Sequence, residues 1–256
     1  MKKVPRLDRW LPVITVAVVL TMWEWQVRVG RIPALFFPAP STVASTLVRL
    51  LTSRVLPPNL AATLLRVFVG LALGGMPGLI LGLVLGWSRQ LRAIIDPLIA
   101  ALHPLPKIAM LPLIMIIFGI GEASKVVVIA VASFFPMLIN TAAGVRQIHP
   151  IYFEVAENYG ARMIQVFARV VLPGSLPLVL SGLRLALNTA LLLAIAVELV
   201  AAQEGLGAMI WFAWETLRTE ELYATLAVAA ALGIGFNFVV QRLTIKLVPW
   251  QVEREA

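Results

Sequence analysis

Residues 148–173 read IHPIYFEVAENYGARMIQVFARVVLP, a charged interval in a chain whose remainder is mostly apolar. Pro150 suits the first turn of a helix, where a missing N–H is harmless. Ile151, Val155 and Tyr159 recur at near-helical spacing, with Glu154 and Glu157 elsewhere on the helix surface. Gly160 is placed to close that helix in a left-handed conformation. A second helix follows, with Ile164, Phe167 and Val171 on one face and Arg162, Gln165 and Arg169 off it. Pro173 is expected to end it. A helical pair with these carboxylates and guanidiniums does not sit in hydrocarbon. It belongs in water, against the membrane surface or against a partner.

Outward from this interval the chain is lipid-grade. Of 256 residues, 60% are hydrophobic and 13% charged, and the mean hydropathy is +0.92. Soluble domains average about 45–50% apolar and about 25% charged, so the composition is that of an integral membrane protein. At roughly 20 residues per span, the apolar segments give about six transmembrane helices in an all-α fold. We expect spans near 10–29, 60–87, 97–119, 124–144, 176–200 and 222–248, with the 146–173 loop between the fourth and fifth, and one transmembrane domain over 1–256. The alternative for the first segment is a cleavable signal peptide, but no small-x-small cleavage site follows it. Cysteine is absent, which excludes disulfide and thiolate chemistry.

Lysine and arginine define the orientation. Lys2, Lys3, Arg6, Arg9, Arg89, Arg92, Arg146, Arg162, Arg169, Arg242, Lys246 and Arg254 fall on one side of the expected spans. Arg28, Arg31, Arg49, Arg54, Lys125 and Arg218 fall on the other, and Arg66, Lys107 and Arg184 lie within spans. The richer side is the cytoplasm, with both termini and the 146–173 loop inside. The net charge of +8 is accordingly topological and not a nucleic-acid surface. Glu24, between Trp23 and Trp25, belongs at the outer interface. In 36–59, Ser41 is expected to cap a short amphipathic helix bearing Val43, Leu47, Leu50 and Leu51.

Several span residues are candidates for a transport path. Gly70, Gly74, Gly78, Gly82 and Gly86 form a stripe that lets helices approach closely, as a sliding surface or as static packing. Pro97, Pro104, Pro106 and Pro112 break the third span, and a broken helix at membrane depth lines a cavity or is buried in protein. Lys107 within it either faces the path and attracts an anion or snorkels to the inner interface. Asn140 either lines a cavity or hydrogen-bonds between helices. Asn188 and Glu198, with Arg184, interrupt the fifth span, where solute contact and internal pairing are both open. GluGlyLeuGly at 204–207 introduces an outer segment with Ile210, Trp211 and Trp214, a gate or an interfacial anchor.

The chemistry of an enzyme is missing. There is no GxxxxGK[ST], no GxSxG and no His/Asp/Glu cluster at metal-ligand spacing. His103 and His149 are far apart, and His149 before Pro150 reads as a loop or capping residue.

The spacing Glu154-x-Ala156, Gly160, Val170-x-Leu172-Pro173 resembles the EAA loop of ABC-importer permeases, with Val155 and Val170 as mild departures. The segments PLPKIAMLPLIMIIFGIGEASK (104–125), FFPMLINTAAGV (134–145) and GSLPLVLSGLRLA (174–186) resemble the nitrate/sulfonate/taurine/bicarbonate branch of that family. The resemblance implies a type I ABC-importer permease fold with cytoplasmic coupling helices, in the bacterial inner membrane. It implies that Glu154, Ala156, Glu157, Tyr159, Gly160 and Pro173 couple to a separate ATPase, which carries ATP and Mg, so the chain itself holds no cofactor. It also implies a second permease copy, giving a homodimer, and an extracytoplasmic substrate-binding protein delivering a small anion such as nitrate, bicarbonate or a sulfonate. The rivals are an ion-coupled secondary transporter and a membrane assembly factor. The first would need symmetry between halves and span-centre acidic residues, which are not found. The second would not need the EAA spacing.

Overall fold

The computed structural model describes residues 10–250, and the terminal charges Lys2, Lys3, Arg6, Arg9 and Arg254 lie outside the described residues. Among the described residues every regular element is helical. The chain runs α1 (Leu11–Arg28), α2 (Pro40–Thr52), α3 (Leu56–Trp87), α4 (Arg89–Leu102), a 3₁₀ turn (Lys107–Met110), α5 (Leu111–Phe118) and α6 (Glu122–Arg146). There follow α7 (Ile151–Asn158), α8 (Met163–Val166), a π turn (Phe167–Val171), α9 (Leu172–Ala201), α10 (Leu206–Glu215) and α11 (Thr219–Leu247).

Among the described residues, four helical stretches are long and apolar enough to cross a bilayer: Leu56–Trp87, Glu122–Arg146, Met163–Ala201 and Thr219–Leu247. A fifth arises if α4 and the Lys107–Phe118 segment, bent by 87° at their junction, count as one broken span. The expected prolines are the reason: Pro104 and Pro106 flank the bend, where no continuous hydrogen-bond ladder can pass. The 18-residue α1 is apolar over its first part but carries Glu24, Gln26 and Arg28 towards its end.

The core is the packing of α6 between α3 and α9. The glycine stripe explains the α3–α6 seam. A Cβ at Gly70 would lie 2.5 Å from Ile129 Cγ2, at Gly78 2.5 Å from the Phe134 carbonyl oxygen and at Gly82 2.7 Å from that of Leu138. At Gly74 it would meet the Ala130 carbonyl itself. The stripe is thus used inside the chain, backbone against backbone. On its other side α6 meets α9 in antiparallel register, Gly144 against Ser175 and Gly182 against Asn140.

Three expectations are corrected. Pro173 does not end a helix: the rod runs from Met163 to Ala201. In the π turn the Leu172 N–H donates to the Phe167 carbonyl, and Pro173 then occupies a first-turn position of α9, where no N–H is required. The second span begins at Leu56, with Pro57 and Pro58 in its first turn. Ser41 is not the cap of α2. Its N–H and hydroxyl donate to the Glu24 carboxylate at 3.0 and 2.7 Å, so α1 caps α2 from a distance while Arg28 closes on the same carboxylate.

Candidate functional site

At the end of the bundle where α6 gives way to α9, α7 closes as the sequence demands. Gly160 has φ +66°, its N–H donates to the Glu157 carbonyl and the Ala161 N–H to that of Ala156, a Schellman closure. The His149 imidazole accepts from the Ile151 N–H, a capping role. The Gln165 side chain accepts from the Arg162 N–H and starts α8. Glu154, Glu157, Tyr159 and Gly160 are exposed, and Ala156 is half-buried. The pair shows an apolar face to solvent, with Tyr152, Val155, Met163 and Ile164 exposed and Tyr159 86% exposed.

Sequence periodicity missed what anchors this pair. Phe153 and Phe167 both turn to Trp87 at the end of α3, with ring centroids 6.1 and 6.5 Å apart. The available signal was Phe153 three residues before Ala156, the two half-buried positions of α7. Beside the anchor lies a groove of about 480 Å³ lined by Gly86, Trp87, Arg92, Arg146 and Phe153 among others. Trp87 thus ties α7, through Phe153, and the start of the Met163–Ala201 rod, through Phe167, to the end of α3.

The far end of the bundle is closed by buried charge. Arg66 of α3, 4% exposed, donates from Nε and Nη2 to Glu122 at 2.7 and 2.8 Å. Its Nη1 donates to Glu198 Oε1 and to the Glu204 carbonyl, both at 2.7 Å. Lys125 completes the group on Glu122 at 2.8 Å. The second oxygen of Glu198 accepts from the Thr63 hydroxyl and the Gly207 N–H, each at 2.9 Å. Asn59 and Thr63 accept from the Gly205 and Leu206 N–H groups, so α3 side chains cap α10. Glu198, 1% exposed, thus has both carboxylate oxygens engaged within the chain. Of its partners the sequence offered only Arg66 as an in-span charge, 132 residues away. In α10, Ile210 is buried while Trp211 and Trp214 are exposed, their rings tilted by 46° with centroids 5.0 Å apart.

The other candidates do not meet in one place. Asn188 exchanges hydrogen bonds with Asn237 of α11 at 3.3 Å, joining two helices. Asn140 donates to the Pro136 carbonyl at 2.9 Å and sits half-buried at the Gly182 crossing. Lys107 lies in the turn at the break of the third span. Its ammonium donates to the His103 carbonyl and stands 5.1 Å from the Phe135 ring centroid. Phe135 is at the middle of α6, so the ammonium lies level with the middle of that helix. Among the described residues no His, Asp or Glu group could hold a metal ion.

Long apolar helices held by internal ion pairs, with one short, exposed helical pair at an end of the bundle, define a multi-pass membrane subunit. The chain matches the binding-protein-dependent transport system inner membrane component family over residues 78–251, and it belongs to that family. It is the permease component of an ABC importer, a transport subunit and not an enzyme, which works with an ATPase and a substrate-binding protein. It is 36% identical to the taurine transport system permease protein TauC of Escherichia coli K12, over 95% of this chain and 90% of that protein. It is 33% identical to the putative aliphatic sulfonates transport permease protein SsuC of Bacillus subtilis 168, over 92% and 85%. In fold it is similar to the MetNI methionine ABC transporter in an inward-facing conformation, with TM-score 0.63 and 22% identity over 74% of this chain and 94% of that one.

Proposed function

We propose that the chain forms, as a homodimer, the translocation path for a small sulfonate or similar anion, with both termini and the α7–α8 pair in the cytoplasm. The observation that carries the coupling half of this reading is the exposed apolar face of α7, flanked by Glu154 and Glu157. A short helix presenting such a face suits a groove on a partner. In this reading the groove is on the ATPase, and nucleotide-driven closure of two ATPases moves two copies of α7 as rigid bodies. Trp87, Phe153 and Phe167 then pass the shift to α3 and α9.

Gly160→Arg tests the docking. The substitution puts a long side chain at φ +66°, where non-glycine residues are strained. We expect recovery of the ATPase in pull-down to fall by an order of magnitude or more, with the apparent melting temperature in detergent little changed. Equal recovery would remove α7 as the docking element.

The anion assignment is supported by the sulfonate relatives and by Lys107, an ammonium held in a broken span at the middle of α6. Lys107→Ala is expected to reduce uptake of radiolabelled taurine about tenfold or more, equivalent to at least ~1.4 kcal/mol, while ATPase recovery stays normal. Unchanged uptake would take Lys107 out of the path.

A further inference from the structure

We infer that Arg184 is an anion-selecting cation of the path, carried on a face of α9 with Ser181 and Asn188 that borders water inside the assembled transporter. The inference rests on the anion reading above.

Arg184 and Ser181 are exposed, and Asn188 is half-buried. The three recur at i, i+3 and i+7, one side of a helix. Among the described residues no carboxylate lies within ion-pair distance of Arg184. The other charged group on the apolar part of α9, Glu198, is fully paired at the far end. Arg184 is therefore the charge on this helix that the fold leaves unanswered.

Depth makes this informative. Ser175 packs at Gly144, close to the Arg146 that ends α6. Arg184 lies nine residues beyond Ser175, about 13 Å along the helix. That is more than its side chain can recover by reaching back. Phe135 lies nine residues before Gly144 on the antiparallel α6. Arg184 is thus level with Phe135, and so with the Lys107 ammonium over that ring. Two cations share one level, near the middle of α6. A guanidinium at that depth against lipid tails is strongly disfavoured, so it faces water or protein. Leu185 and Leu192 are exposed on the same side, so the face is mixed, but with Ser181 and Asn188 as neighbours and no carboxylate partner among the described residues the guanidinium is placed at water. A small oxyanion or sulfonate crossing there meets a planar donor suited to its oxygens.

The absence of cysteine makes the test direct, because Ser181→Cys supplies the only thiol of this chain, whose own labelling is followed. The variant, assembled with its ATPase in proteoliposomes, is treated with the anionic sulfonatoethyl and the cationic trimethylammonioethyl methanethiosulfonates. Rates are normalised to those with a free small thiol. We expect reaction with both, the anionic reagent favoured about tenfold, as one unit charge roughly 6 Å away would produce. In Ser181→Cys/Arg184→Gln the preference should fall to near unity. In Ser181→Cys/Arg184→Lys it should persist. Failure of both reagents to react would overturn the inference by showing the face sealed, and equal normalised rates with Arg184 present would overturn the selecting role. An intact preference in an assembly that takes up no taurine would uphold Arg184 and remove only the sulfonate assignment.

Discussion

Replacing Arg66 by methionine is expected to be among the most damaging single changes in the chain. Four hydrogen bonds leave its guanidinium, two to Glu122, one to Glu198 and one to the Glu204 carbonyl. Methionine fills much of the space and supplies none of them. Glu122, whose side chain is 61% exposed, can turn to water and keeps Lys125. Glu198 cannot: its side chain is inaccessible, and only the Thr63 hydroxyl and the Gly207 N–H remain to it. Stranding one member of a buried pair costs about 3–5 kcal/mol. That corresponds to a fall in melting temperature on the order of 10 °C. The damage should concentrate where α3, α9 and α10 meet, because Glu198 also holds the start of α10. Arg66→Lys should rescue little, since an ammonium cannot reproduce the planar fork across two carboxylates. Arg66→Met/Glu198→Gln should recover a large part of the loss, because the stranded charge is gone. Thermal unfolding of the detergent-solubilised chain, followed by size-exclusion chromatography, reads all three. A melting temperature for Arg66→Met within a degree or two of the parent would refute the account of the far-end cluster.

The second large effect is expected at Gly74. Glycine to alanine in a helix interior ordinarily stabilises by about 0.8–1.0 kcal/mol. Here the sign should reverse. The new Cβ would fall on the carbonyl of Ala130, a backbone group that no rotamer change can move. The seam on either side is pinned at Gly70 against Ile129 and at Gly78 against Phe134, so α3 cannot tilt away locally. Overpacking of this kind costs about 1–3 kcal/mol, and a whole-helix displacement would also disturb the Trp87 anchor beneath α7. Gly75→Ala is the matched control. One residue on, its Cβ would lie 3.3 Å from Leu71 Cδ1 and 3.5 Å from Met137 Cγ, ends of side chains that can yield. Gly74→Ala should lower the melting temperature and the ATP-driven uptake together, and Gly75→Ala should leave both close to the parent. Indistinguishable behaviour of the two variants would mean that the stripe is not the tight seam described above.

The two predictions differ in how much of them the sequence exposes. The glycine stripe is visible as a four-residue period, because close helix approach requires small residues at successive turns of one face. What the period does not carry is the partner. A sliding surface, an internal seam and a contact between copies all use the same spacing, and the fold selects α6. Lys107 behaves similarly: the prolines around it announce a broken span, but its depth depends on where the turn packs against Phe135.

What the sequence determined by itself is whatever local backbone chemistry and periodicity dictate. Lipid-grade runs must close their hydrogen bonds within a helix. Gly160 must end α7 because a residue without a Cβ takes positive φ freely, and the charges of 148–173 must stay in water. What only the tertiary structure decided are the matches between distant groups. These include Arg66 with Glu198, Asn188 with Asn237, Glu24 with the start of α2, Phe153 and Phe167 with Trp87, and the continuation of the helix through Pro173. Each depends on the register at which two helices pack or on a turn that absorbs strain, and register is fixed by the sum of many side-chain contacts. No period within one segment encodes that sum.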